Sequence, residues 1–122
     1  MRQGSATQDV IGQTEAAWQA ARSNLVSTIE QTWLTTIEKG ICPKDSKYQL
    51  RLAASHVIRQ AKVVTDMVYD LCSTDSIHQS ELIHRCFQNV HVISQHLQAR
   101  PEVYAIVGRH KLGLPAQSYL VD

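Results

Sequence analysis

The stretch LRLAASHVIRQAKVVTDMVYDLC, residues 50–72, carries the clearest amphipathic pattern in the chain. Its apolar residues recur at steps of three and four, which places them on one face of a helix. These residues are Leu50, Ala53, Val57, Ala61, Val64, Val68 and Leu71. The opposite face is polar and includes Lys62 and Asp66, spaced as an i,i+4 ion pair. We therefore expect a long helix that packs on its apolar side and uses ion pairs or solvent on the other.

The rest of the chain also favours helices, because glycine and proline are sparse. Neither occurs between Gly12 and Gly40 or between Pro43 and Pro101, and sheets need more frequent turns. The first two predicted helices cover about residues 9–39 and 45–72. The third begins near Ile77 or Ser80 and runs to about Gln98, and the fourth begins at Pro101 and ends around Gly108 or Gly113. The predicted fold is all-α, an up-and-down four-helix bundle with two long helices, one medium and one short. It divides into a frayed start, 1–8, a bundle, 9–114, and a tail, 115–122.

Capping residues mark the helix ends. The candidate N-caps are Thr7 or Asp9, then Asp45 or Ser46, then Ser76 with Gln79 in the spacing of a capping box. Gly40 is expected to end the first helix. The segment from Ser73 to Ser76 interrupts the apolar pattern and is predicted to be a loop.

The first predicted helix has its own apolar stripe, composed of Trp18, Ala21, Leu25, Ile29, Trp33 and Ile37. Trp18 and Trp33 could stack on a flat cofactor, but a place in the core or in a subunit interface explains them better. In a small monomer, helices of this length would leave part of their apolar surface exposed to solvent. We therefore expect a homo-oligomer, a dimer or a tetramer.

Composition excludes several classes of partner. The 122 residues carry a net charge of +1 with scattered basic residues, so nucleic acid is not an expected partner. No apolar run approaches the roughly 20 residues of a membrane span. The first residues resemble no secretory signal, and the three cysteines fit no zinc or redox motif, so we expect reduced thiols and a cytoplasmic location.

Histidines and amides share one face of the third predicted helix: His84, Gln88, His91 and Gln95. His84 and His91 lie two turns apart, too far to hold one metal ion without outside ligands. A solvated or interface face is the better interpretation, and no metal site is predicted. His56 and His78 are expected to be surface or cap residues.

Three groups of residues carry a family resemblance: RLAASH at 51–56, STDSI at 73–77 with LIHR at 82–85, and FQNVHVISQH at 87–96 followed by RPEVY at 100–104. Together they resemble the C-terminal helical domain of the acyl-CoA dehydrogenase superfamily. The nearest branch is the flavin-dependent monooxygenases, which include two-component hydroxylases and dibenzothiophene-type sulfur oxidisers. The resemblance implies a domain that helps to build the oligomer and forms part of a wall around FAD or FMN and the substrate.

The resemblance also assigns site residues. His96 matches a family histidine beside the reactive edge of the flavin, where an imidazole can donate or accept a proton as the flavin reacts with oxygen. Arg85 matches a family arginine, and Ser73, Thr74 and Ser76 match a segment near a flavin. For His96 the alternative is a helix-end histidine bonded to a carbonyl group.

The sequence departs from the family in three respects. Gln88 and Asn89 stand where the family has an arginine and an aspartate, and Ser73 stands where it has glycine. The family's N-terminal helical and β-domains have no counterpart in these residues. We therefore expect a bundle domain of a flavin oxidoreductase that is not a complete enzyme alone, either as a piece of a longer protein or as a stand-alone remnant with altered work. The alternative is a non-catalytic helical module for oligomerisation or protein interaction.

Overall fold

A computed structural model describes residues 4–75, 81–96 and 100–115, with the backbone alone at 73–75 and 81. Its helices are α1 (Ser5–Lys39), α2 (Lys44–Asp75), α3 (Glu81–Ile93) and α4 (Glu102–Lys111). Those described ranges contain helices and turns and no strand. The predicted all-α bundle, with two long helices and two shorter ones, is confirmed.

The first helix begins one turn earlier than predicted. It starts at Ser5, and its N-cap, Gly4, makes no side-chain cap bond. Thr7 and Asp9 therefore lie inside α1, and their prediction as N-caps is wrong. Asp9 instead accepts a hydrogen bond from the amide of Gln13, with 2.6 Å between nitrogen and oxygen.

The turn between α1 and α2 follows the sequence pattern more closely. Gly40 ends α1 with φ at +76°, and its N–H donates to the carbonyl of Thr36 over 2.8 Å. A left-handed glycine is a common helix terminator because it has no Cβ to clash. Since α2 begins at Lys44, Asp45 and Ser46 lie within its first turn and do not precede it. There the Asp45 carboxylate complements the positive end of the helix dipole.

The predicted loop after α2 is partly wrong. The backbone stays helical through Asp75, so Ser73 and Thr74 belong to the last turn of α2. The predicted capping box at 76–79 lies outside the described residues. The third helix ends at Ile93, short of the predicted Gln98, and residues 94–96 form a turn directly after it.

Both α3 and α4 pack mainly against α2, and α2 also packs along α1. Side-chain contacts join Tyr48 to His110, His56 to Tyr104, Asp66 to His91 and Tyr69 to His84. Residue numbers rise along α2 as they fall along each partner, so α3 and α4 both run antiparallel to α2. The two short helices therefore follow one another in the same direction, with α3 on the C-terminal half of α2 and α4 on its N-terminal half. The predicted up-and-down order, in which each helix reverses the direction of the one before, does not hold between α3 and α4.

The best-buried apolar cluster lies between α2 and α4. Tyr48, Val103 and Val107 are 1%, 0% and 3% exposed, with Leu52 and Ile106 packed against them. Val103 and Val107 are thus the buried residues of α4. Tyr48, which precedes the apolar stripe read from residues 50–71, is the largest side chain in the cluster.

The first helix buries only part of its predicted stripe, namely Ala21 and, by half, Leu25. Its buried residues are Thr14 and Ala21, both small, whereas Ile29, Trp33 and Ile37 are 49%, 67% and 63% exposed. The prediction that Trp33 lies in the core of this chain is therefore wrong, and its interpretation as an interface residue stays a prediction. The buried residues of α1 are small or polar, so most of its large apolar side chains lie on the outer face.

None of the helices in the described ranges combines the length and apolar character that a membrane crossing requires. Cys42, Cys72 and Cys86 form no disulfide with one another.

Candidate functional site at the face shared by α2 and α3

His96 lies in the turn that follows α3. Its side chain is exposed, and its backbone N–H donates to the carbonyl of Ile93 over 2.9 Å. Two residues earlier, Ser94 is 2% exposed, and its hydroxyl donates to the carbonyl of His91 over 2.8 Å. The turn is therefore anchored on its inner side by Ser94 and presents His96 at the surface.

Arg85 is exposed on the first half of α3. It follows His84, whose ring contacts Tyr69 near the end of α2. Ser73 and Thr74 are in the last turn of α2, at this same end of the helix pair, and Ser76 lies outside the described residues. The structure thus places Arg85 at one end of α3 and His96 beyond the other.

An acid–imidazole contact joins the two helices between those ends. The Nε2 atom of His91 lies 2.8 Å from one carboxylate oxygen of Asp66, and the Lys62 ammonium lies 3.3 Å from the other. Burial alone would raise the pKa of Asp66, but hydrogen bonds from His91 and Lys62 outweigh it and lower that pKa below its ordinary value. The predicted Lys62–Asp66 pair and the interface interpretation of His91 are both confirmed.

A row of rings continues from this contact along the helix pair. Phe87 packs on His91 with centroids 4.3 Å apart, and Tyr69 stacks on Phe87 at the same distance, with planes 30° apart. The edge of His84 meets Tyr69 at 5.4 Å. Aromatic and imidazole rings thus form one half-buried wall that ends at the Asp66 carboxylate. The place of Tyr69 in this row was not predicted from the sequence, because residue spacing within one helix does not show which rings meet across two helices.

A second histidine contact links α2 to α4. The Nδ1 atom of His56 lies 2.8 Å from the hydroxyl of Tyr104, and the two rings meet edge to face at 5.9 Å. Burial raises the pKa of Tyr104, and the charge of Arg59 partly opposes that rise. His56, predicted to be a lone surface or cap residue, therefore bridges two helices. His78 lies outside the described residues.

A polar groove of about 450 Å³ lies between α1 and the start of α2. Its lining residues are Asn24, Ser27, Thr28, Gln31, Thr32, Thr35, Asp45, Ser46 and Gln49. Neither Arg85 nor His96 is among them. Across the part of the chain that the structure describes, no three histidine, cysteine or acidic side chains are grouped to hold a metal ion.

These features define an all-α bundle domain with a histidine-bearing turn at its surface. The family model described as acyl-CoA dehydrogenase, C-terminal domain, matches residues 1–101, and the chain belongs to this family. Membership confirms the resemblance carried by the helical motifs, and it implies flavin use in general terms.

A similar protein is the indole-3-acetate monooxygenase of Pseudomonas putida. It is 27% identical over 111 residues, which cover 90% of this chain and 28% of the relative. The chain thus spans little more than a quarter of that relative's length.

Proposed function

We propose that this chain is the C-terminal bundle of a flavin-dependent oxidoreductase of the monooxygenase type. In this proposal α1 associates with a second copy, and the turn after α3 forms part of the flavin or substrate pocket. Family membership and the monooxygenase relative support the class of chemistry. In this proposal the bundle supplies only part of the catalytic site, since it matches 28% of the relative's length.

The observation that carries the proposal is the orientation of α1. Its exposed large apolar residues are Ile11, Trp18, Val26, Ile29, Trp33, Leu34 and Ile37. Monomeric proteins rarely expose so many large apolar side chains on one element. These side chains are 39–67% exposed, so covering each would contribute roughly half of the 1.5–3 kcal/mol gained by full burial, before the costs of association. A second copy of α1 offers the same kind of surface, and symmetric pairing of equal surfaces is the commonest form of oligomer.

Light scattering during size-exclusion chromatography tests this association. The wild-type chain should elute as a dimer or tetramer, and the double variant Trp33→Ser, Ile37→Ser should shift toward the monomer. Leu112→Ser is the matched control, since Leu112 is also highly exposed, at 77%, but follows α4. A wild-type monomer at high concentration, or an equal shift in the control, would contradict the proposal.

We propose that the side chains of Arg85 and His96, which lie toward opposite ends of α3, contact different parts of the flavin or its substrate. The side chain of His96 is exposed, and an imidazole can donate or accept a hydrogen bond. Arg85 offers an exposed guanidinium, which suits an anionic group. The other residues proposed to face the cofactor are Ser73, Thr74 and Ser76. A bound reduced flavin, FAD or FMN, would supply the electrons that activate oxygen.

Fluorescence titration with FMN and with FAD tests the pocket. The wild-type chain should quench flavin fluorescence saturably. The affinity obtained from the titration should fall about tenfold in Arg85→Ala or His96→Ala, since bonds to charged groups contribute about 1.5–3 kcal/mol. Arg22→Ala removes an exposed cation from α1 and should change nothing. Unchanged flavin fluorescence with every form of the chain would favour the alternative, a non-catalytic oligomerisation module, which the apolar face of α1 would by itself support.

A further inference from the structure

Two contacts to α2 flank His96 along the chain, one at His91 and one at Tyr104. Before it, His91 contacts the carboxylate of Asp66 at 2.8 Å. After it, Tyr104 contacts the ring of His56, also at 2.8 Å. The position of His96 relative to α2 therefore depends on two histidine-centred contacts.

The first of these contacts connects directly to the turn. The hydroxyl of Ser94 donates to the backbone carbonyl of His91, and the N–H of Ser94 donates to the carbonyl of Val90 over 2.9 Å. Ser94 is 2% exposed, so it has little room to move independently. A displacement of His91 would consequently be transmitted to the turn that carries His96.

We propose that Asp66 is a positioning residue, which fixes the ring of His91 and thereby the turn that presents His96. The inference rests on the proposed function, because the position of His96 matters at the flavin pocket. A carboxylate that accepts from Nε2–H selects one tautomer of a neutral imidazole and holds the ring plane. Phe87 packs on the same ring, with centroids 4.3 Å apart, and restricts its rotation.

The two partners of Asp66 provide a matched pair of variants. His91 comes from α3, whereas Lys62 comes from α2 itself. Loss of the Lys62 contact should leave the two helices joined. Asp66→Asn removes the charge that orients His91, Asp66→Glu keeps a carboxylate, and Lys62→Met is the control.

The first measurement uses the whole chain without flavin. Amide hydrogen exchange at Ser94, Gln95 and His96 should become about tenfold faster in Asp66→Asn and stay near wild type in Lys62→Met. Long-range imidazole NMR spectra should show His91 mainly as the Nε2–H tautomer in wild type and as a mixture in Asp66→Asn. Asp66→Glu should restore much of that tautomer preference, which a purely structural loss would not explain.

The amide of Ala21 in α1 reports on the stability of the whole chain. Faster exchange at Ala21 and at the turn to the same extent would indicate global unfolding and overturn the positioning role. Exchange at the turn that is unchanged in Asp66→Asn would overturn it as well.

Flavin titration of the same variants separates this inference from the proposed function. If wild-type chain binds no flavin but Asp66→Asn releases the turn, the positioning role stands and the pocket role is wrong. If wild type binds flavin and Asp66→Asn changes neither the turn nor the affinity, the pocket role stands and the positioning role is wrong.

Discussion

The imidazole of His110 lies flat on the ring of Tyr48, with centroids 3.9 Å apart and planes 6° from parallel. The same imidazole bonds through Nε2 to the carboxylate of Asp45. Asp45 is in the first turn of α2 and His110 is in the last turn of α4. The Asp45 carboxylate complements the positive end of the dipole at the start of α2. One histidine thus joins the end of α4 to the beginning of α2.

Replacing His110 by alanine should therefore loosen α4. We expect a loss of about 1–2 kcal/mol in the free energy of unfolding, from the ring contact and the hydrogen bond together. Urea denaturation followed by circular dichroism measures it. Lys111→Ala alters the exposed neighbour and should cost little, so equal losses in the two variants would show that the stacked ring contributes nothing.

Asp66 should make stability depend on pH in acid. Its pKa is lowered below the model-compound value of 3.8 in the folded chain. A carboxyl group with a lowered pKa contributes stability that is present above its unfolded pKa and lost as the pH falls through its folded pKa. Urea denaturation between about pH 2 and pH 6 should thus show a shallower acid loss for Asp66→Asn than for wild type. Parallel curves would contradict the assignment.

Tyr104 should act at the opposite end of the pH scale. Its pKa is raised above 10.0 in the folded chain, so its contribution is present below the unfolded pKa and lost as the pH rises through the folded one. Tyr104→Phe should lose about 0.5–1.5 kcal/mol near neutral pH through the missing bond to His56. It should also flatten the alkaline decline, and Tyr69→Phe, measured alongside, should retain that decline.

Two glycines should respond to alanine with opposite signs. Gly40 has φ at +76°, and an added Cβ there would meet nothing within 4 Å, so only backbone strain counts. Gly40→Ala should cost about 1–2 kcal/mol. Gly12 lies inside α1, also in open space, and Gly12→Ala should gain about 0.5–1 kcal/mol. Thermal unfolding of both variants measures this, and a gain at Gly40 would contradict the left-handed turn.

Local patterns were predictable because they depend on residues a few positions apart. The Lys62–Asp66 pair lies on consecutive turns of one helix, and the Gly40 terminator needs only its own conformational freedom. The end of α2 was predicted too early because Ser73 and Thr74 weaken a helical pattern without preventing the helix from continuing. Propensity is a weak signal that neighbouring contacts override.

The candidate site was predictable only in part. Motifs pointed to Arg85 and His96, and their roles stay predictions. The contacts that hold α3 and α4 on α2 were not predictable. Asp66 and His91 are 25 positions apart in the sequence, and His56 and Tyr104 are 48 apart. Such pairs depend on how helices cross.

The sequence by itself determined that this protein is a set of amphipathic helices, and its motifs placed it in its family. Periodicity fixes which residues share a face of a helix, because the geometry of one turn is the same everywhere. Only the tertiary structure decided which face each helix turns inward. It directed Trp33 of α1 outward, and it aligned α3 and α4 along α2 in one direction. The physical reason is that the buried face of a helix depends on which other helices it packs against, whereas periodicity is a property of each helix alone.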